Sequence, residues 1–324
     1  MFCKNYIRFK SLFFQEWSAY CSDLIAFILE ALSIMLSLRE QALYGKNMKK
    51  FELSIISLSV CAALCSLPAM ANPIFSGFNG STLAANDDGS TGAVGLGFTF
   101  NFYGTNYTQT FVNNNGNITF GNPLSTFTPT AINGATSRPI IAPFFADVDT
   151  RGIGSGLVSY GAGAYNGHTA FGVNYPNVGY FPTSTNLLNN FQLVLVDRSD
   201  LATGDADIYF NYGSIQFETG SASGGSGGLG GTSARAGYSN GTGAPGSFFE
   251  LAGSGIHGGF LNGGPFALNV GTNDGTPGQF LFTVRGGTVV PPVEPPNGNV
   301  PEPATLGVMA LGLAAIGALR RKKN

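Results

Sequence analysis

LGFTFNFYGTNYTQTFVNNNGNITF, from Leu96 to Phe120, is the stretch from which the fold can be read. Leu96, Phe98, Phe100 and Phe102 alternate with Gly97, Thr99 and Asn101. A strand with one face on a core and the other towards water has this period of two, whereas a helix returns its apolar residues every three or four positions. Asn114-Asn115-Gly116-Asn117 then separates Phe111-Val112 from Ile118-Thr119-Phe120. It reads as a hairpin-like turn, because Asn and Gly accept the backbone conformations that tight turns demand.

Outward from this stretch, further strands are expected at Ile140 to Phe145, Gly156 to Tyr160, Thr169 to Tyr175, Asn190 to Asp197, Asp207 to Tyr212, Ser233 to Tyr238, Ser247 to Leu251 and Gln279 to Arg285. No segment between Asn72 and Gly287 joins a helical period to helix caps. Many short strands at this spacing predict an all-β fold, a β-sandwich-like domain of short antiparallel strands over residues 72 to 287. Its Phe and Tyr would fill the space between two sheets. Thr219 to Thr232, TGSASGGSGGLGGT, is expected to be a flexible loop. Residues 288 to 300 read as a Pro-rich linker.

Composition separates the ends from the body. Between Phe51 and Arg321 there is no lysine, and the body has only Arg138, Arg151, Arg198, Arg235 and Arg285 against twelve acids from Asp87 to Glu294. An acidic body of this kind excludes nucleic acid as a partner. The four cysteines, Cys3, Cys21, Cys61 and Cys65, all precede Asn72, so the body has no disulfide or thiol chemistry.

Both ends carry export signals. From Met48, two lysines, an apolar run from Leu53 to Leu67 and Ala69-Met70-Ala71 make a secretory signal peptide over residues 48 to 71, with Ala69 and Ala71 at the cleavage site. A signal peptide belongs at a chain start, so residues 1 to 47 are expected to be an upstream extension from a mis-assigned start. At the other end Pro301-Glu302-Pro303 is followed by an apolar segment, residues 304 to 319, and by Arg320-Arg321-Lys322-Lys323. The segment predicts a short transmembrane helix with the basic cluster on the cytoplasmic side. This order resembles the PEP-CTERM sorting signal of Gram-negative bacteria, residues 301 to 324. The resemblance implies Sec export, a transient inner-membrane anchor and cleavage by an exosortase.

The body resembles the nidogen-like (NIDO) extracellular domain. The residues carrying the likeness are IIAPFFADVDTRG (Ile140 to Gly152), Phe171 to Tyr175, VGYF (Val178 to Phe181), NNFQLVLVDRSD (Asn189 to Asp200), DIYFNYGSIQFETG (Asp207 to Gly220) and GGLGGTSARAGYSNG (Gly227 to Gly241), within 86 to 255. Trp is common in the family near Phe145, Phe171 and Phe217, but the only Trp of this chain is Trp17. The resemblance implies a cell-surface or extracellular-matrix protein in cell-matrix adhesion or biofilm and exopolysaccharide association, with an unknown ligand. A lectin-like carbohydrate-binding module and a secreted hydrolase are the alternatives.

Few residues suggest chemistry. Asp147 and Asp149 stand two apart, so on a strand they would share a face and, with a carbonyl and water, hold a structural Ca²⁺. Arg151, next in the same series, could neutralise them instead, and no other cofactor is expected. Asp87-Asp88-Gly89-Ser90 and the pair Asp205, Asp207 are similar acidic loops. Glu218 and Glu250 could serve a glycoside hydrolase, but nothing in the sequence fixes their separation. His168 and His257, each beside a glycine, read as turn or surface residues. Gly225, Gly227 and Gly230 satisfy GxGxxG without a following helix to hold a phosphate. Asn79, Asn106, Asn117 and Asn240 begin Asn-x-Ser/Thr sequons.

Overall fold

The computed structural model describes residues 73 to 290, so what the sequence predicts for residues 1 to 72 and 291 to 324 lies outside it; this includes the signal peptide with Ala69 and Ala71, the Pro301-Glu302-Pro303 motif, the apolar 304 to 319 segment and its basic tail. Thirteen strands run in chain order: β1 (Ser81–Thr82), β2 (Val94–Phe102), β3 (Thr105–Asn113), β4 (Asn117–Thr119), β5 (Ile140–Phe145), β6 (Ser159–Tyr165), β7 (His168–Tyr180), β8 (Ser184–Asp197), β9 (Ala206–Ser214), β10 (Arg235–Ser239), β11 (Phe248–Glu250), β12 (Gln279–Arg285) and β13 (Thr288–Val290). They form a seven-stranded sheet, β1-β6-β7-β8-β9-β12-β13, and a six-stranded sheet, β11-β10-β5-β4-β3-β2. Adjacent named strands pair antiparallel throughout. Among the described residues the helical structure is a single 3₁₀ turn at Ser221–Ser223, and no helix is long and apolar enough to cross a membrane.

Alternation builds the core between the sheets. Phe100, Phe102, Val112, Ile118, Ile141 and Phe144 point in from one sheet, and Val173, Tyr175, Phe191, Leu193, Phe210 and Phe282 from the other. Aromatic pairs cross the gap: Phe144 meets Phe191 at 5.3 Å between ring centroids, and Tyr238 meets Phe282 edge-on at 5.5 Å. Such geometries add roughly 0.5–1.5 kcal/mol per pair to the burial itself, so Phe and Tyr hold the sheets together without Trp.

The outer face of the larger sheet is closed by polar chemistry. Asn174, Gln192, Asn211 and Gln279 occupy facing register positions on β7, β8, β9 and β12. Gln192 donates to Asn174 at 2.7 Å, Asn211 to Gln192 at 2.8 Å and Gln279 to Asn211 at 2.9 Å. The segment entering the domain lies over this ladder, with the Phe75 N–H donating to Gln192 and the Phe75 ring stacked on Tyr165 at 4.0 Å. Phe78 fills a recess that exists because Gly163 and Gly172 lack a Cβ.

Two expected connections are structured. Thr288 to Val290, expected to open the Pro-rich linker, instead form β13 against β12, with Thr283 facing Val290. The physical reason is the β-branched Thr-Val-Val run after a Gly286-Gly287 turn, which buries Val289. The Gly-rich 219 to 232 segment is held by backbone bonds, among them Glu218 N–H to Gly228, Gly225 N–H to Gly220 and Thr232 N–H to Ser223. Its glycines allow tight folding: a Cβ at Gly228 would press on the Phe217 side chain at 2.9 Å.

Candidate functional site

Asp147 and Asp149 do not share a strand face. β5 ends at Phe145, and the Val148 N–H turns back onto the Ala146 carbonyl at 3.0 Å, which breaks the two-residue period and sends the carboxylates into different surroundings. Asp149 accepts from Arg151 at 2.8 and 2.7 Å, from the Arg151 N–H at 3.0 Å and from the Thr183 N–H at 2.8 Å. Burial opposes its charge, but these donors prevail and hold its pKa below the ordinary carboxylate value. Arg151 also reaches Asp87 at 2.9 Å, so it neutralises one member of the predicted pair and a residue 64 positions upstream.

Asp147 faces the other way. Only 1 % exposed, it meets Asp87 and Asp88, and carboxylate oxygens of all three lie within 4.8 Å of one another. The nearest donor to Asp147 is the Ser223 hydroxyl at 3.5 Å, the limit of a hydrogen bond. Burial first, and then the charges of Asp87 and Asp88, push its pKa up to about 7. Asp87 is likewise pushed up to about 6 by burial and by Asp149 and Asp88, against the pull of Arg151. Asp87 Oδ1 is buried without a hydrogen-bond partner. Protonation relieves such a set, and so would a hard cation taking oxygen ligands. These three carboxylates are the acidic group among the described residues close enough to share a metal ion.

A buried asparagine turn, read from the sequence only as a hairpin connection, positions the cluster. Asn113, Asn114, Asn115 and Asn117 are all buried. Asn114 donates to the Asp87 carbonyl and, at 2.6 Å, to the Val148 carbonyl. Asn115 donates to Asp88 at 2.8 Å and accepts the Val148 N–H at 2.9 Å. The turn therefore clamps the 86 to 88 loop to the Asp147 segment. Gly116, at φ +76°, lies so close to the Phe144 carbonyl that a Cβ would overlap it. A Cβ at Gly220 would likewise overlap Asp147 Oδ2. The signal in sequence was the unusual NNNGN run itself, since asparagine amides can both donate and accept.

The remaining candidates are dispersed. Asp207 sits between Arg198 at 2.8 Å and Arg285 at 2.6 Å, while Asp205 accepts the Gly286 N–H. Glu250 is held by Arg235 at 3.1 Å and by the Ile132 N–H at 2.7 Å; Glu218 accepts from the Gly258 N–H at 2.7 Å. Glu250, at the end of β11, and Glu218, in the loop after β9, are thus each tied to separate structural partners. His168 lies 3.6 Å from Asp200, and His257 bonds the Gly231 carbonyl. No helix follows Gly225, Gly227 and Gly230; the next named element is β10. Asn117 is buried, whereas Asn79 and Asn106 are exposed.

On the outer face of β5, the 121 to 139 segment covers a small second core of Ile132, Ile140, Ala142 and Phe145. Beside this core it leaves a cavity of about 490 Å³ lined by Leu124, Thr126, Thr130, Ser137, Arg138 and their neighbours.

Comparison with known proteins gives these features a context. The chain is 32% identical over 231 residues to alpha-tectorin of Gallus gallus and 33% identical over 232 residues to alpha-tectorin of Homo sapiens. Each match takes in 63% of this chain and 10% of the relative, so the chain spans about a tenth of the length of the curated relatives it matches. No solved structure matches. Residues 299–322 match the PEP-CTERM protein-sorting motif. Residues 108–286, more than half of the chain and the two-sheet body from within β3 to the end of β12, match the nidogen-like domain, and the chain belongs to that family.

Proposed function

We propose that this chain is an exported, exosortase-processed protein that works at the cell surface or in the extracellular matrix by binding, in cell-matrix adhesion or in biofilm and exopolysaccharide association. The observation that carries this reading is the joining, on one chain, of a nidogen-like body to a C-terminal sorting motif. Sec export would deliver it, the 304 to 319 segment would anchor it transiently in the inner membrane, and cleavage near Pro301-Glu302-Pro303 would free the body. Binding rather than turnover is favoured because Glu218 and Glu250 are each tied to structural partners. A structural Ca²⁺ would sit at Asp147 with Asp87 and Asp88, while Asp149 stays with Arg151.

Mass spectrometry of fractionated cells tests the sorting step. Wild type is expected to lose its C-terminal residues and leave the inner membrane, and Glu302→Ala to retain both. An intact C-terminus on the mature wild-type protein overturns the processing claim. A deletion strain that attaches and builds matrix as well as its parent overturns the adhesive one.

A further inference from the structure

We infer that the cavity beneath the 121 to 139 segment is a binding site for a carboxylate-bearing sugar unit, held by Arg138. The inference rests on the matrix-binding reading above and names the ligand class for it.

The first ground is charge. Arg151, Arg198, Arg235 and Arg285 are each paired with one or two carboxylates. Arg138 has no carboxylate partner among the described residues. It donates from Nε to the Ser137 hydroxyl at 3.1 Å and from Nη1 to the Pro123 carbonyl. A guanidinium has five N–H donors, so donors beyond these two bonds remain for a ligand. A planar fork of this kind matches a carboxylate better than a neutral hydroxyl.

The second ground is the lining. Arg138 faces the cavity together with Thr126, Thr130 and Ser137, whose hydroxyls can both donate and accept. Ile140 and Phe145 contribute an apolar side. A sugar ring presents this same combination, polar edges around C–H faces. A volume near 490 Å³ lies within the roughly 300–1,000 Å³ usual for small-molecule sites.

The third ground is rigidity. The cavity wall is pinned to the smaller sheet by the Ile132 N–H on Glu250 and by the Ser239 hydroxyl, which donates to the Gly134 carbonyl at 2.9 Å, and to the loop after β10 by the Thr136 N–H on the Gly241 carbonyl. The carboxylate of Glu250, which accepts the Ile132 N–H of that wall, is already occupied by Arg235. A wall fixed in advance binds without the cost of ordering a loop.

The test uses the full chain purified in detergent and titrated calorimetrically with trigalacturonate, and in parallel with neutral galactotriose and with sodium acetate. Trigalacturonate is expected to bind at least 10-fold more tightly than either control. Arg138→Gln should weaken it 10-fold or more, and Arg138→Lys should weaken it less. Thr130 is exposed, so Thr130→Glu leaves the packing intact, yet it should abolish uronate binding by placing a carboxylate beside Arg138. Equal affinity for acidic and neutral trimers, no binding of trigalacturonate, or full binding by Thr130→Glu overturns the inference. Purified native matrix separates the two claims: capture of wild type and Arg138→Gln alike would remove the cavity site and leave the matrix reading standing.

Discussion

Replacing Asp147 by Asn should stabilise the protein at alkaline pH, although it removes a buried charged group. Its carboxyl is 1 % exposed, faces Asp87 and Asp88, and has a pKa raised from 3.8 to about 7. A raised folded-state pKa means that the fold favours the protonated acid. The resulting stability is complete below pH 3.8 and is lost as pH rises through about 7. At about 1.4 kcal/mol per pK unit, the ionised carboxylate costs at most roughly 4 kcal/mol at pH 8, and roughly 2–4 once the 86 to 88 loop relaxes. For a domain of this size that is a rise of roughly 5–15 °C in melting temperature for Asp147→Asn. Near pH 4 the two proteins should melt within a few degrees of each other. Asp149 acts in the opposite sense, since its lowered pKa supplies stability that is lost only as acid titrates it below the ordinary carboxylate range. Wild type should therefore be most stable between the two regimes, at mildly acidic pH. Thermal melts in chelating buffer at pH 4, 6 and 8 measure this, and a variant less stable than wild type at pH 8 would refute the like-charge account of the cluster.

Calcium added at pH 8 should raise the wild-type midpoint and leave Asp147→Asn unmoved, as melts with and without chelator will show; unchanged wild-type midpoints count against a structural ion at this cluster. Gly116→Ala should cost about 3 kcal/mol or more in urea unfolding, because its φ is positive and its Cβ would overlap the Phe144 carbonyl. Asp207→Asn strips the shared partner from Arg198 and Arg285 and should cost about 2–3 kcal/mol by the same measurement. Tyr175→Phe leaves the buried Asn113 carbonyl without the hydroxyl that donates to it at 2.8 Å, for a loss of about 1–2 kcal/mol.

Strands whose own residues decide their state were legible. β5 and β12 occupy the residues expected from alternation, and the Asn114 to Asn117 turn joins β3 to β4. β7 and β8 run further than expected, because Pro176, Asn177, Asn186 and Asn189 have poor strand propensity. Cross-strand pairing in the long hairpin, with bulges near Tyr175 and Val178, overrides that local preference. The site was half legible. Acids at 147 and 149 could be read, but not that one would meet Asp87 and Asp88 while the other met Arg151. That choice depends on a loop some 60 residues away and on asparagines whose polarity suggests a solvated turn. Their burial is set by long-range hydrogen bonds, which no local pattern encodes.

The placement of charge also narrows how the domain can meet a matrix. Between Pro73 and Val290 eleven acids stand against five arginines, with no lysine, and four of the arginines are taken up by acids of the same domain. Such a surface cannot hold a polyanion by a broad positive field, since its diffuse electrostatics oppose one. An acidic polymer can be held only at a point where a cation stands without an acid and hydroxyls share the load, as Arg138 does with Thr126, Thr130 and Ser137. Point recognition and a basic coat differ in salt response. A single ion pair at the cavity loses only a modest factor in affinity between low and physiological salt, whereas a many-charge contact loses several powers of ten. Uronate binding that collapses steeply with salt would thus indicate a surface contact elsewhere on the body and not the cavity beneath the 121 to 139 segment.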